Sequence, residues 1–176
     1  MVYFITGNQN KLKEVQAIIS GVEGVEMDLP EIQSLDPQEI ITEKLNEAVK
    51  EKEGEYFVED TALYLDCLNG FPGPLIKWFL ERLGNKGIYS LVSKYENHNV
   101  VAKTVIGYSN GKDIHFFVGE IKGKIVAPRG ETTFGWDPIF EVNGKTFAEI
   151  SAFEKNKISM RKNALMKFKE FLDKHG

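Results

Sequence analysis

Met1-Val-Tyr-Phe-Ile-Thr6, Gly7-Asn-Gln-Asn10, Lys11-Leu-Lys-Glu-Val-Gln-Ala-Ile-Ile19 is the stretch that decides the fold. Its first six residues are apolar, β-branched or aromatic, which is the pattern of a buried strand. Gly7 to Asn10 break that run. Leu12, Val15, Ile18 and Ile19 then recur at helical spacing. The reading is strand, tight polar turn, helix. In an open α/β sheet such a turn lies at the carboxyl end of a strand, where ligands bind. The helix presents unpaired N–H groups and the positive end of its dipole. Thr6 adds a hydroxyl, Asn8 an amide and Lys11 a positive charge, so Thr6, Gly7, Asn8 and Lys11 are candidates for cradling a phosphate chain. The plainer reading is that Gly7-Asn8 is a turn and Asn8 a helix cap. Neither Gly-x-x-x-x-Gly-Lys nor Gly-x-Gly-x-x-Gly is present, so the phosphate reading cannot borrow from those motifs.

The 176 residues suffice for one domain with a real core. Hydrophobic residues make up 42% and charged residues 27%, an ordinary globular balance. No apolar run approaches the roughly 20 residues that span a bilayer, and Met1 leads straight into the first strand, so no leader is expected. The single cysteine, Cys67, rules out an internal disulfide and a cysteine metal cluster. A cytoplasmic protein is expected, without a membrane or nucleic-acid partner. The net charge of −4 argues against a global positive field for nucleic acid. Charge is unevenly spread, however. From Lys155 onward, basic residues 155, 157, 161, 162, 167, 169 and 174 face only Glu170 and Asp173. That end suits a polyanionic ligand, or is simply a solvated lysine face.

Along the chain, Val25 to Leu29 alternates as a second strand, ended by Pro30-Glu31. Asp36-Pro37-Gln38-Glu39 is a helix start with cap, Pro at the first position and Glu three residues on. That helix carries Lys44 off its apolar stripe and runs to about Glu53. Tyr56-Phe57-Val58 is a short strand delivering Glu59-Asp60-Thr61 at its end, and Leu63 to Leu68 is a further extended piece. The loop Asn69 to Pro74 holds two prolines and two glycines. Leu75 to Leu83 is a helix stopped by Gly84, followed by a second over Ile88 to Tyr95. Asn99 to Tyr108 and Asp113 to Val126 are long strands around Asn110-Gly111, a hairpin signal. Ile139 to Val142 and Thr146 to Ile150 flank Asn143-Gly144. Ser159 caps a last helix with Met160, Ala164, Leu165, Phe168, Phe171 and Leu172 on one side. The fold class is α/β: one domain over 1–176, a mixed sheet with helices on both sides and a β-rich lobe from about 99 to 150.

Glu31, Glu59 and Asp60 stand at expected strand ends. Carboxylates without cysteine and with few histidines suit a hard cation such as Mg²⁺. Phe134-Gly135-Trp136-Asp137 puts two aromatics beside a carboxylate: a ring to stack on a base and an acceptor for its edge, or a buried anchor for the loop. Arg161, with Lys155 just ahead of it, can donate a fork of hydrogen bonds to a keto oxygen or a phosphate. His98, His115 and His175 show no ligand spacing, and Cys67 reads as a small hydrophobe.

Taken in order, these motifs resemble the Ham1 family of inosine triphosphate pyrophosphatases. The resemblance runs through Thr6-Gly7-Asn8 with Lys11, Asp28-Leu29-Pro30-Glu31, Val58-Glu59-Asp60-Thr61 and Gly70-Phe71-Pro72-Gly73-Pro74 with Ile76-Lys77-Trp78-Phe79. It continues in Val126-Ala127-Pro128-Arg129-Gly130, Phe134-Gly135-Trp136-Asp137-Pro138, Glu154-Lys155-Asn156 and Ser159-Met160-Arg161. It implies a two-lobed fold on a long twisted mixed sheet, a nucleotide cleft between the lobes, and a homodimer. It implies Mg²⁺-dependent hydrolysis of ITP, dITP or XTP to the monophosphate and pyrophosphate. Thr6 to Lys11, with Lys44 and Lys77, would hold phosphates, and Thr61 would touch substrate. Glu31 and Asp60, with Glu59 as a further candidate, would bind metal, and Asp60 would be the base. Phe134, Gly135, Trp136, Asp137, Lys155, Met160 and Arg161 would form the base pocket. The family usually reads Ser-His-Arg where this chain has Met160, which predicts an altered preference among purines, or a methionine turned into the core. Two alternatives stay open: a Maf-like pyrophosphatase for modified pyrimidine nucleotides, and a nucleotide-binding regulator without hydrolysis.

Overall fold

The opening run folds as strand β1 (Val2–Ile5) and leads through Thr6–Asn8 into helix α1 (Gln9–Gln16). The computed structural model describes residues 1–131 and 135–175. Asn8 caps α1, its side chain accepting from the amides of Asn10 at 3.0 Å and Lys11 at 3.2 Å. Strand β2 (Glu23–Val25) follows, then helix α2 (Pro37–Glu51), strand β3 (Glu55–Leu65), the short β4 (Pro72–Gly73) and helix α3 (Ile76–Val92). Strands β5 (Asn99–Ser109), β6 (Ile114–Ile125), β7 (Phe140–Val142) and β8 (Lys145–Thr146) come next, and helices α4 (Ala152–Ile158) and α5 (Met160–His175) close the chain. The eight strands form one mixed sheet in the order β2-β1-β3-β5-β6-β7-β8, with β4 paired to β3. β1 lies parallel to both β2 and β3, while β3–β4, β6–β7 and β7–β8 are antiparallel.

The chain divides into two compact units. The first comprises Met1–Asp60, Thr104–Gly119 and Asn163–Gly176; the second comprises Thr61–Lys103 and Glu120–Lys162. The first unit buries its sheet on both faces. Phe4 and Phe57 pack with Val15 and Ile19 and with Ala164, Leu165 and Phe168 of α5. Their neighbours in sequence, Tyr3, Ile5, Tyr56 and Val58, fall in the cluster built on Ile41, Leu45 and Ala48 of α2. Side chains alternate across a strand, so two covered faces require the unbroken apolar run with which the sequence begins. The second unit has its own core, in which Ile76, Ile88 and Val92 of α3 pack with Leu63, Leu65, Val100, Ala102, Ile125, Trp136 and Phe140.

Several expectations need correction. Glu59-Asp60-Thr61 do not end a strand; β3 runs on to Leu65. The parallel ladder with β1 covers only Glu55 to Phe57, and β3 then continues by pairing Leu63 and Tyr64 with β4. The acids therefore sit where the parallel partner has ended, which is still the carboxyl side of β1. The second strand is Glu23–Val25, not Val25 to Leu29. β1 ends too, and its last tie is the Thr6 amide donating to Val25 O at 3.0 Å. Met27 and Leu29 keep their inward alternation without a ladder. α3 spans both predicted helices, with Gly84 breaking it at φ 65 and ψ 174. Helix α4 has no counterpart among the elements expected from the sequence.

Candidate active site

Around the turn after β1, the first unit has a cavity of about 630 Å³ whose lining includes Thr6, Gly7, Glu31, Lys44 and Glu59, four chain segments apart. Thr6 is half-buried, and its Oγ1 accepts from the Asn8 amide at 3.1 Å. The Asn8 oxygen and the amides of Asn8, Asn10 and Lys11 are thus committed within the turn, so what it offers a ligand is the Asn8 Nδ2 donor, the Thr6 hydroxyl hydrogen and the Lys11 charge. Lys11 Nζ lies 2.9 Å from Glu59 Oε1, and the Glu59 side chain is only 3% exposed. Lys44 Nζ, on α2, lies 2.6 Å from Glu31 Oε1, whose side chain is 55% exposed. Two of the three lysines predicted for phosphate, Lys11 and Lys44, are thus paired with acids predicted for metal.

Asp60 differs from both of these acids. Its Oδ2 is buried and has no hydrogen-bond partner among the described residues. Burial pushes its carboxyl up to about 6; Lys44 and Lys11 pull it down, and Glu31 and Glu59 push it further up. A carboxylate poised near neutrality, with one oxygen unsatisfied, has the properties of a general base or of a ligand waiting for a cation. Among the described residues no three His, Cys, Asp or Glu side chains converge on one point. Glu26 and Asp28 also line the cavity. Glu26 is not among the site residues expected from the sequence. The signal is the alternation itself, which exposes residues 26 and 28 between the half-buried 25, 27 and 29.

The second unit gathers the residues predicted for a base. Trp136 is buried and packs edge-on against Phe140, with centroids 5.2 Å apart. Asp137 is 6% exposed, and Lys155 Nζ donates to its Oδ2 at 2.6 Å. The same ammonium lies 5.5 Å from the centre of the Phe147 ring. Lys155 is carried by α4, whose capping box joins Ser151 and Glu154. Ser-x-x-Glu was legible in the sequence as a helix start. Arg161 is buried in the first turn of α5. Ser159 caps that helix, accepting from the Lys162 amide at 3.2 Å. Met160 is buried in the core cluster that holds Trp136 and Phe147. Gly135 is exposed, at φ 52. Phe134 lies outside the described residues. Thr61 is half-buried on β3; Lys77 is exposed, its ammonium 5.0 Å from the centre of the Trp78 ring.

The model of the Ham1 family matches residues 2–171. The chain belongs to the Ham1 family. This Ham1 chain is 46% identical over 176 residues to an inosine triphosphate pyrophosphatase of Ajellomyces capsulatus, covering 97% of the chain and 96% of that relative. It is 47% identical over 171 residues to one of Pyricularia oryzae, covering 94% and 90%. A HAM1 protein from Coxiella burnetii shares its fold with a TM-score of 0.88 at 23% identity, over 98% of each chain. A nucleoside-triphosphatase described as a dITP/XTP pyrophosphatase from Mycobacterium abscessus matches with a TM-score of 0.74 at 27% identity, over 95% of this chain and 97% of that one.

Proposed function

We propose that this chain hydrolyses non-standard purine nucleoside triphosphates, ITP, dITP and XTP, to the monophosphate and pyrophosphate. Membership of the Ham1 family and the names of the relatives support the reaction class. The observation that carries the chemistry is Asp60, whose buried Oδ2 lacks a partner among the described residues and whose carboxyl is pushed up to about 6 by burial. At neutral pH it is ionised and can take a proton from the water that attacks the α-phosphorus. Lys11 and Lys44 stabilise the negative charge that builds on the departing pyrophosphate, and the amides at the start of α1 add fixed dipoles.

The donors present fit a magnesium ion. They are oxygen only, the Asp60 Oδ2 is orphaned, and such an ion binds one or two carboxylates plus substrate phosphates and keeps several waters. Glu31 and Asp60 would hold it, with Glu59 a further candidate. When bound, it supplies charge neutralisation at the phosphate oxygens. On the base side, Arg161 donates to the keto oxygen at C6 of inosine or xanthine. Adenine carries an amino group there and leaves a buried donor unpaired, which is costly. Asp137 and Lys155 set the polarity of the same pocket.

The working form is a cytoplasmic homodimer. Exposed Phe71, Trp78 and Leu83 on the second unit support association, and the lone Cys67 fits a reducing compartment. Sedimentation equilibrium should return twice the chain mass of 19.9 kDa; a monomer at micromolar concentration overturns that part. Pyrophosphate release from ITP, XTP, dITP, GTP, ATP and dTTP, with and without Mg²⁺, tests the main claim. Inosine and xanthine nucleotides should turn over far faster than ATP and dTTP, and only with the metal, while GTP, which shares the C6 keto oxygen, reads the contribution of its 2-amino group. A preference for dTTP, or saturable binding with no release, rejects it.

A further inference from the structure

The loop that carries Trp136 and Asp137 is anchored on both sides of its bend. On one side, the Arg129 amide donates to Pro138 O at 3.0 Å, and its guanidinium pairs with Glu141 and Glu149. On the other, the Ile139 amide donates to Trp136 O at 3.1 Å and the Ala148 amide to Asp137 O at 3.3 Å. Among the described residues the bend at Gly135 has no such packing: it is exposed, and a Cβ added there would meet none of them within 4 Å. Asn85 reaches it: Nδ2 donates to Gly135 O at 3.0 Å, across 50 residues of sequence.

Asn85 follows directly on the break in α3. Gly84 holds φ 65 and ψ 174, and among the described residues a Cβ there too would meet nothing within 4 Å. Glycine is needed at this point for its backbone freedom, not for space. The other amide atom of Asn85, Oδ1, is buried and has no partner among the described residues. A buried acceptor without a partner is costly and calls for an explanation. The bond made by the opposite end of the same amide supplies one.

We infer that Asn85 is a positioning residue for purine recognition: its amide sets the pitch of the loop at Gly135, and with it the placement of Trp136 and Asp137. The inference rests on reading that loop as the purine side of the site. Asn85 acts through the loop backbone, so its loss should weaken the grip on the base and spare the phosphate chemistry.

The test is Asn85→Leu, which removes the donor and the orphaned acceptor together, and Asn85→Asp, which turns a carboxylate toward the Gly135 carbonyl. Both should raise KM for ITP about tenfold with kcat held within about twofold, and inhibition by inorganic tripolyphosphate should be unchanged. The Leu variant should melt no lower than the parent, because the exposed Gly135 carbonyl can turn to water. Amide hydrogen exchange over 135–139 should quicken in both variants, without change in α5. An unchanged KM, or tripolyphosphate inhibition weakened by the same factor, overturns the inference. If the parent protein does not turn over ITP, the functional reading fails on its own. Exchange then decides about Asn85 alone, and unchanged exchange in both variants disposes of its hold on the bend.

Discussion

Asp60 ties its chemistry to its cost. Its carboxyl is raised to about 6 chiefly by burial. An acid whose folded value lies above its unfolded one binds its proton more tightly in the fold. The resulting stability is fully present below about pH 4 and is lost as pH rises through 6. Asp60→Asn has no charge to desolvate. In EDTA it should therefore be more stable than the parent at pH 7 to 8, by up to about 3 kcal/mol, the shift of roughly two units converted. The gain should vanish below about pH 4, and turnover should be nearly abolished. Urea midpoints across pH 4 to 8 check the first statement and pyrophosphate release the second; a pH-independent difference would show that Asp60 is not the titrating group. Lys11 needs a different design. Lys11→Ala strands the buried Glu59 carboxylate, which should cost about 3–5 kcal/mol and confuse stability with binding. Lys11→Met with Glu59→Gln removes the pair together. That double variant should stay folded yet bind tripolyphosphate at least tenfold more weakly, as read by calorimetry. Unaltered binding would move the phosphate contact elsewhere.

Helices and strands place these groups through local rules that differ in reach. Asp36 caps α2, accepting from the Gln38 amide at 2.9 Å, while Glu39 Oε2 accepts from the Ser34 hydroxyl instead of closing a capping box. The sequence pattern marks the helix start, while the partner of Glu39 is set by Ser34, which lies outside the motif. The Gly84 break is of another kind. Gly84→Ala meets no neighbour, but it forces an L side chain into a backbone conformation that such residues avoid. The expected loss is about 1–3 kcal/mol, and disturbed placement of Asn85 should raise KM for ITP. Urea unfolding read beside ITP kinetics checks both. Within the first unit α5 is held by Phe168, whose ring lies 5.0 Å from Phe57 and 5.3 Å from Tyr108. Phe168→Ala should cost about 3–5 kcal/mol, seen as a lowered urea midpoint.

At the scale of the whole molecule, the excess positive charge of the last twenty-two residues loses most of its apparent meaning. Lys169 pairs with Asp173, Lys174 with Glu170, and Lys167 donates to Val118 O. Lys155 and Arg161 are set apart by burial, so the rest read as a solvated face. Lys169→Gln with Lys174→Gln should leave KM for ITP within about twofold at any salt concentration; a salt-dependent rise would restore a role for that face in drawing in the polyanion. The sequence alone determined the α/β class, the opening strand–turn–helix, the hairpin at Asn110-Gly111 and the family. Those features follow from periodicity, turn chemistry and ordered motifs, which act over a few residues. Tertiary structure alone decided that β3 carries its acids past the end of β1, that Glu59 and Glu31 are met by Lys11 and Lys44, that one oxygen of Asp60 is left over, and that Asn85 ties down Gly135. Each of these depends on which distant segments are brought together and how much water is excluded there, and neither quantity is encoded in local spacing.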